Sequence, residues 1–238
     1  MHEAREHSAA SSSRSISQRS CGFCQRLSLE ALADLNSIGT LRTYAADEAL
    51  FGERQPTPGV FLVQEGQVRL SMNSTEGKRL SLRIGRAGDA LGLAPAMSGH
   101  NCETTAETLT VARILYVSNA QFRAFLNRHP EVYSIVTEEI SRQYTLACER
   151  LRTVGLSSSA PEKLARLLLD LSENTQIGED AARIRFMLTH EQIGEFIGAS
   201  RETVTRTLGS FKTRRLISLN GCMMTIPSRS ALQHYAHI

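Results

Sequence analysis

Arg201, Glu202, Thr205 and Arg206 have the types and spacing to read a nucleic-acid duplex. A guanidinium offers a bidentate fork to guanine O6 and N7, and a carboxylate accepts from cytosine N4. At helical periodicity these four fall opposite Val204, Leu208 and Phe211, so an apolar inner face would turn Arg201, Glu202 and Arg206 outward. A carboxylate between two arginines weakens non-specific attraction to phosphates, which makes sense if it reads a base. The competing reading is an ion pair from Glu202 to Arg206 on a solvated helix, worth only a few tenths of a kcal/mol.

Such a helix needs a second one behind it. Thr189-His190-Glu191-Gln192 reads as a capping box, followed by Ile193, Phe196 and Ile197 as the apolar face of a two-turn helix. Gly198-Ala199-Ser200 supplies a tight turn and an N-cap for the helix bearing the arginines. The pair is a helix-turn-helix, whose second member enters the major groove. Leu216 to Leu219, an Asn220-Gly221 turn and Met223 to Ile226 then predict a hairpin, completing a winged helix. The charge agrees: residues 183 to 238 hold eight Lys/Arg against three Asp/Glu, while the chain as a whole carries only +3. A basic module on a near-neutral body suits a polyanion partner.

Upstream the texture changes. Gly59 to Val63, Val68 to Met72 and Leu80 to Ile84 are short β-rich runs punctuated by Glu65-Gly66 and Glu76-Gly77-Lys78, the pattern of an antiparallel barrel or sandwich. Leu29, Leu32, Leu35 and Ile38 predict a short amphipathic helix before it. Residues 130 to 156 predict a helix of roughly 40 Å, with Val136, Ile140, Tyr144, Ala147, Leu151 and Val154 as one apolar seam that would pack against its twin. A break at Gly155 to Ser159 marks a hinge, and Ser159-Ala160-Pro161-Glu162 reads as a capping box opening a helix through Leu164, Leu167, Leu168 and Leu171.

Composition narrows the function classes. A chain of 238 residues suggests two domains, and its 41% hydrophobic and 21% charged residues are globular values. No apolar run approaches the ~20 residues of a membrane span, and the Ser-rich N-terminus lacks the pattern of a secretory signal, so a cytoplasmic protein is expected. Five scattered cysteines do not suggest a disulfide framework. A metal-dependent cupin enzyme would need a histidine cluster, yet residues 41 to 118 contain only His100. No nucleophile elbow or phosphate loop appears either, so no enzyme is expected.

The run Ile193-Gly194-Glu195-Phe196-Ile197-Gly198-Ala199-Ser200-Arg201-Glu202-Thr203-Val204-Thr205-Arg206 resembles the DNA-binding motif of the bacterial transcription factors named for the cyclic-AMP receptor protein and the fumarate-nitrate reduction regulator, the CRP/FNR family. Leu50-Phe51-Gly52-Glu53, Val60 to Val68, Glu76-Gly77-Lys78 and Gly88-Asp89-Ala90-Leu91-Gly92 are similar to that family's β-roll in order and spacing. The likeness covers about residues 24 to 230. It implies an α+β chain: a disordered tail over 1–20, a cyclic-nucleotide-binding-type β-roll (a double-stranded β-helix) over 21–128, a dimerisation helix over 129–156 and a winged helix-turn-helix over 157–238. It also implies a homodimer on double-stranded DNA with TGTGA-like half-sites and RNA polymerase as a partner, with no membrane. In that reading Arg201 and Arg206 take guanines, Glu202 takes a cytosine, and Thr189, Ser200 and Thr203 hold phosphates.

The resemblance also frames the effector. In the cyclic-AMP branch an arginine and a serine grip the cyclic phosphate, whereas here Glu103 and Thr104 stand in that stretch, and two hydroxyl residues of the long helix become Ala147 and Cys148. A carboxylate ~4 Å from a phosphate is unfavourable by about 4 kcal/mol at an effective dielectric of 20, so an effector pocket of Glu103, Thr104 and Cys148 would not favour cyclic AMP. The oxygen-sensing branch holds an iron-sulfur cluster on four cysteines; this chain offers Cys21 and Cys24, with Ala112 at the usual β-roll position and Cys102 elsewhere. His100 and His129 are the candidates for a haem. No cofactor is expected, with the iron-sulfur or redox sensor as the alternative.

Overall fold

The structure, a computed structural model, describes residues 22–156, 159–172, 175–177 and 180–236. The expected tail over 1–20, Cys21 and hinge residues 157 and 158 lie outside them.

The chain enters through a 3-10 turn, Phe23–Arg26, and α1, Leu29–Ile38, which Ser28 caps. Leu29 does not join the apolar face predicted for it. It is 88% exposed in the first turn, and Ala31 and Leu35 are the residues that reach the core. Eight strands follow: β1 (Thr40–Tyr44), β2 (Ala49–Phe51), β3 (Gly59–Glu65), β4 (Val68–Asn73), β5 (Arg79–Gly85), β6 (Ala90–Leu91), β7 (Thr105–Thr108) and β8 (Ala112–Ser118), with α2 (Leu93–Ser98) between β6 and β7. They form two antiparallel sheets, β1-β8-β3-β6 and β2-β7-β4-β5. The unbroken apolar run of β3 follows from burial on both faces: Phe61 and Val63 fill the space between the sheets, while Val60 and Leu62 meet the surrounding helices.

After α3 (Asn119–Arg128), which a Ser118–Gln121 capping box opens, α4 runs from Val132 to Leu156. Its 25 residues span about 37 Å. Val136 leaves the expected seam: it is 1% exposed and packs with Val132 against the roll's own helices, and Ile140 is partly drawn into the same cluster. The open apolar face begins further along, with Tyr144 and Leu151 exposed and Ala147 and Val154 half-buried.

The remaining elements are α5 (Ala160–Leu171), β9 (Gln176–Ile177), β10 (Ala181–Arg185), α6 (His190–Ile197), α7 (Arg201–Thr213), β11 (Ser218–Asn220), β12 (Met223–Ile226) and α8 (Arg229–Ala236). Leu164, Leu168, Ile193, Phe196, Val204, Leu208, Phe211 and Ile226 form their common core. Two local expectations shift. Ser159 caps α5 through the Glu162 N–H, but the Glu162 carboxylate pairs with Arg166 at 3.3 Å rather than closing a box. The wing is a four-stranded sheet, β11-β12-β10-β9, and its turn falls on Gly221-Cys222 because Asn220 pairs with Met223 across the ladder.

Candidate nucleic-acid interface

The helix that carries Arg201, Glu202 and Arg206 is held from three sides. Thr189 Oγ1 accepts from the Gln192 N–H at 3.1 Å and Gln192 Oε1 accepts from the Thr189 N–H at 2.9 Å, so α6 begins with the full predicted box. At its end Gly198 has φ 64°, the left-handed conformation glycine adopts without strain. Gly194 permits the close turn, since a Cβ there would stand 2.5 Å from the Ala199 carbonyl oxygen. Ser200 Oγ then accepts from the Thr203 N–H at 3.3 Å and starts α7. Val204, Leu208 and Phe211 are buried beneath it.

That packing leaves Arg201, Glu202, Thr205 and Arg206 exposed on the opposite face. Among the described residues no ion pair joins Glu202 to Arg206. Its carboxyl is instead held below the usual range by its own backbone N–H and by the Ser200 hydroxyl, with Arg201 adding attraction, so it is an ionised acceptor at neutral pH. Thr205 Oγ1 donates to the Arg201 carbonyl at 2.9 Å and lies 2.7 Å from His190 Nδ1, a cross-link between α6 and α7 that sequence reasoning missed. The hydroxyls of Thr189 and Ser200 sit at the helix N-termini they cap, and Ser200 Oγ also lies 3.3 Å from Thr203 Oγ1. These termini point backbone donors toward solvent, where anions are stabilised.

Behind the interface α6 is clasped to the roll. Arg69 of β4, 4% exposed, gives Nη1 to Glu195 at 2.8 Å and Nη2 to Glu107 at 2.6 Å. Ser81 Oγ donates to the same Glu195 carboxylate at 3.1 Å. Arg150 of α4, 7% exposed, donates to the carbonyls of Ser81 at 3.3 Å and of Phe196, and stacks over the Phe196 ring at 5.2 Å. Burial pushes its guanidinium down to about 10.

Of the expected effector residues, two lie just before β7 and the third on α4. Glu103 is exposed at the bend before β7 and Thr104 is half-buried beside it. Cys148 is on α4 next to Tyr144, whose hydroxyl it raises. Among the described residues no hydrogen bond or ion pair links Cys148 to the other two. The roll interior is occupied by Phe51, Phe61 and Tyr116, with ring centroids 5.6 and 5.2 Å apart along the series. Burial pushes the Cys24 thiol up to about 11 and also raises Cys102, which disfavours the thiolate that a metal requires. His129 does not offer a haem a free nitrogen: Nε2 lies 3.0 Å from Asp34 and Nδ1 3.5 Å from Glu131. His100 is exposed. Among the described residues no three His, Cys, Asp or Glu side chains cluster as a metal site.

Residues 41–129 match the cyclic nucleotide-binding domain, and residues 162–235 match the Crp-like helix-turn-helix domain. The chain belongs to the CRP/FNR family. Relatives of this CRP/FNR protein include a CRP-like cAMP-activated global transcriptional regulator of Mycobacterium tuberculosis, 25% identical over 217 residues, which cover 90% of this chain and 96% of that one. The nitrogen fixation regulation protein FixK of Bradyrhizobium diazoefficiens is 25% identical over 215 residues, 89% of each chain. The structure of FixK2 from Bradyrhizobium japonicum shares the fold, with a TM-score of 0.75 at 22% identity over 83% of this chain and 97% of that one. CRP/FNR proteins are DNA-binding transcription regulators and not an enzyme family. Among the described residues no helix is long and apolar enough to cross a membrane.

Proposed function

We propose that the chain is a homodimeric regulator that reads a two-fold symmetric operator with TGTGA-like half-sites and acts on RNA polymerase at the promoters it occupies. The supporting observation is α7 itself: Arg201, Glu202 and Arg206 stand exposed on a helix whose N-cap, inner face and partner helix are all fixed. Arg201 and Arg206 take guanines, Glu202 takes the amino group of a cytosine, and the N-termini of α6 and α7 meet phosphates through Thr189, Ser200 and Thr203. Two copies joined along α4 set their reading helices into successive major grooves about one helical turn apart. The exposed Tyr144 and Leu151, seven residues apart on one face of α4, support that pairing.

The test is fluorescence anisotropy on a labelled palindrome. Each change of a contacted guanine or cytosine should cost about 1–3 kcal/mol. Equal affinity for the palindrome and a scrambled duplex at physiological salt would refute the assignment. The effector differs from the cyclic AMP named for the mycobacterial relative. The aromatic filling of the roll and the absence of a hydroxyl at Ala147 support this. Calorimetry with cyclic AMP should give no heat of binding, and micromolar affinity would overturn this part of the reading.

A further inference from the structure

The roll interior is packed with aromatic rings, yet a cavity of about 260 Å³ opens elsewhere, between the two domains. Ile84 and Arg86 line it from the roll; Leu171, Ile184, Arg185 and Phe186 line it from the DNA-binding domain. Four of these are apolar and the other two are guanidinium groups. Among the described residues neither the Arg86 nor the Arg185 guanidinium has a carboxylate within 4.0 Å, although the Asp89 carboxylate accepts from the Arg86 backbone N–H at 3.0 Å. The neighbouring Arg83 does, pairing with Asp89 at 3.3 Å. Among the described residues the one side-chain hydrogen bond of Arg86 is a long 3.5 Å contact to the carbonyl of Leu171. An apolar wall with a few convergent polar groups is the usual make-up of a small-molecule site. Uncompensated guanidinium groups in such a wall gain most from an anion held between them.

We infer that this cavity binds a small carboxylic acid with an aromatic or branched apolar body, its carboxylate bridging Arg86 of the roll and Arg185 of the DNA-binding domain. The charge on the ligand is limited by what else is present. Leu171 is the last residue of α5, and a helix C-terminus carries partial negative charge that penalises a phosphate dianion more than a carboxylate. The volume of about 260 Å³ lies just below the roughly 300 Å³ at which ligand pockets usually begin, which limits the body to roughly a dozen heavy atoms. Because one guanidinium comes from each domain, the bound acid would tie the two together, giving it the differential hold on domain arrangement that any effector needs.

The experiment is calorimetry on the full chain without DNA, so its outcome is independent of the operator reading. The probes are 1-naphthoate, its neutral isostere 1-naphthamide, and 1-naphthyl phosphate. Naphthoate should bind saturably with sub-millimolar affinity, about tenfold or more tighter than the amide. Arg86→Gln and Arg185→Gln should each weaken naphthoate about fivefold or more and leave the amide unchanged. Should either variant fail to fold, as read by circular dichroism, the comparison of acid with amide on the unsubstituted protein decides alone. No saturable naphthoate binding, equal affinity for acid and amide, tighter binding of the phosphate, or an effect of only one of two folded arginine variants would each overturn the assignment.

Discussion

Arg201 and Arg206 stand in solvent on α7 with no carboxylate within 4.0 Å among the described residues, whereas Arg69 and Arg150 are 4% and 7% exposed behind α6. In the second pair both Nη donors of Arg69 go to Glu195 and Glu107 and two donors of Arg150 go to backbone carbonyls, while Arg69 Nε is buried without a partner among the described residues. The same side chain thus does opposite work. An exposed guanidinium contributes little to folding and remains available to a base edge, while a buried one fixes geometry and becomes costly to disturb. On the proposed reading, Arg201 and Arg206 are kept unpaired for a base edge, whereas Arg69 and Arg150 are held by partners within the chain.

The largest effect should come from α4, along which two copies are proposed to pair. Leu151→Glu places like charges across the exposed apolar face of α4, shifting dimer to monomer. Operator affinity should fall about 100-fold or more as the linkage between half-sites is lost. Light scattering checks the mass, and a dimeric variant would mean that the seam lies on another face. Next, Arg69→Ala takes from Glu195 the cation it shares with Glu107 and leaves Glu107 with Arg79 at 3.2 Å. Urea unfolding should show a loss of about 3 kcal/mol, the low end for a broken buried pair because both carboxylates are partly exposed.

Arg206→Ala tests the other side of the contrast. It should leave unfolding unchanged while costing about 1–3 kcal/mol in operator binding and relaxing selectivity at one position. A uniform loss over all sequences would mean that Arg206 touches only phosphate. The smallest effect concerns a half-buried carboxylate that behaves like the clasping arginines. Asp180 accepts from Ser228, Ser230 and the Ser230 N–H, which hold it below its usual range and pin the start of α8. Its folded pKa is depressed, so its contribution is complete above the ordinary Asp range and is lost as pH falls through the lowered value. Asp180→Asn should therefore reduce stability near neutrality and flatten the acid limb of a pH–stability curve; an unchanged limb would count against it.

The helix pair and its exposed face were legible because their determinants are local. A cap, a glycine turn and an apolar stripe lie within some twenty consecutive residues, and each constrains the next. The clasp was not. Arg69 between Val68 and Leu70 has the alternation of any half-buried strand, and that pattern is the same whether its polar face meets water or another domain. Val136 failed for a related reason, since helical periodicity identifies an apolar face without saying whether a twin or the chain's own roll covers it. β10 was legible and overlooked: Ala182 and Ile184 are buried while Arg183 and Arg185 are exposed, a two-residue alternation plain in the sequence. The wing turn slipped by one residue because Gly221 fits the first loop position as well as the second.

Arg150 gives α4 the mechanics of a crank. Its guanidinium sits roughly 8 Å from the axis of a helix whose Cα atoms lie at about 2.3 Å. It grips Ser81 on β5 and Phe196 on α6 at the same time. A turn of α4 by roughly 10° sweeps that tip through about 1.4 Å, more than a hydrogen bond tolerates. Any torque on the long helix is therefore delivered directly to the shoulder of the reading domain, where it either drags α6 along or lets go of it.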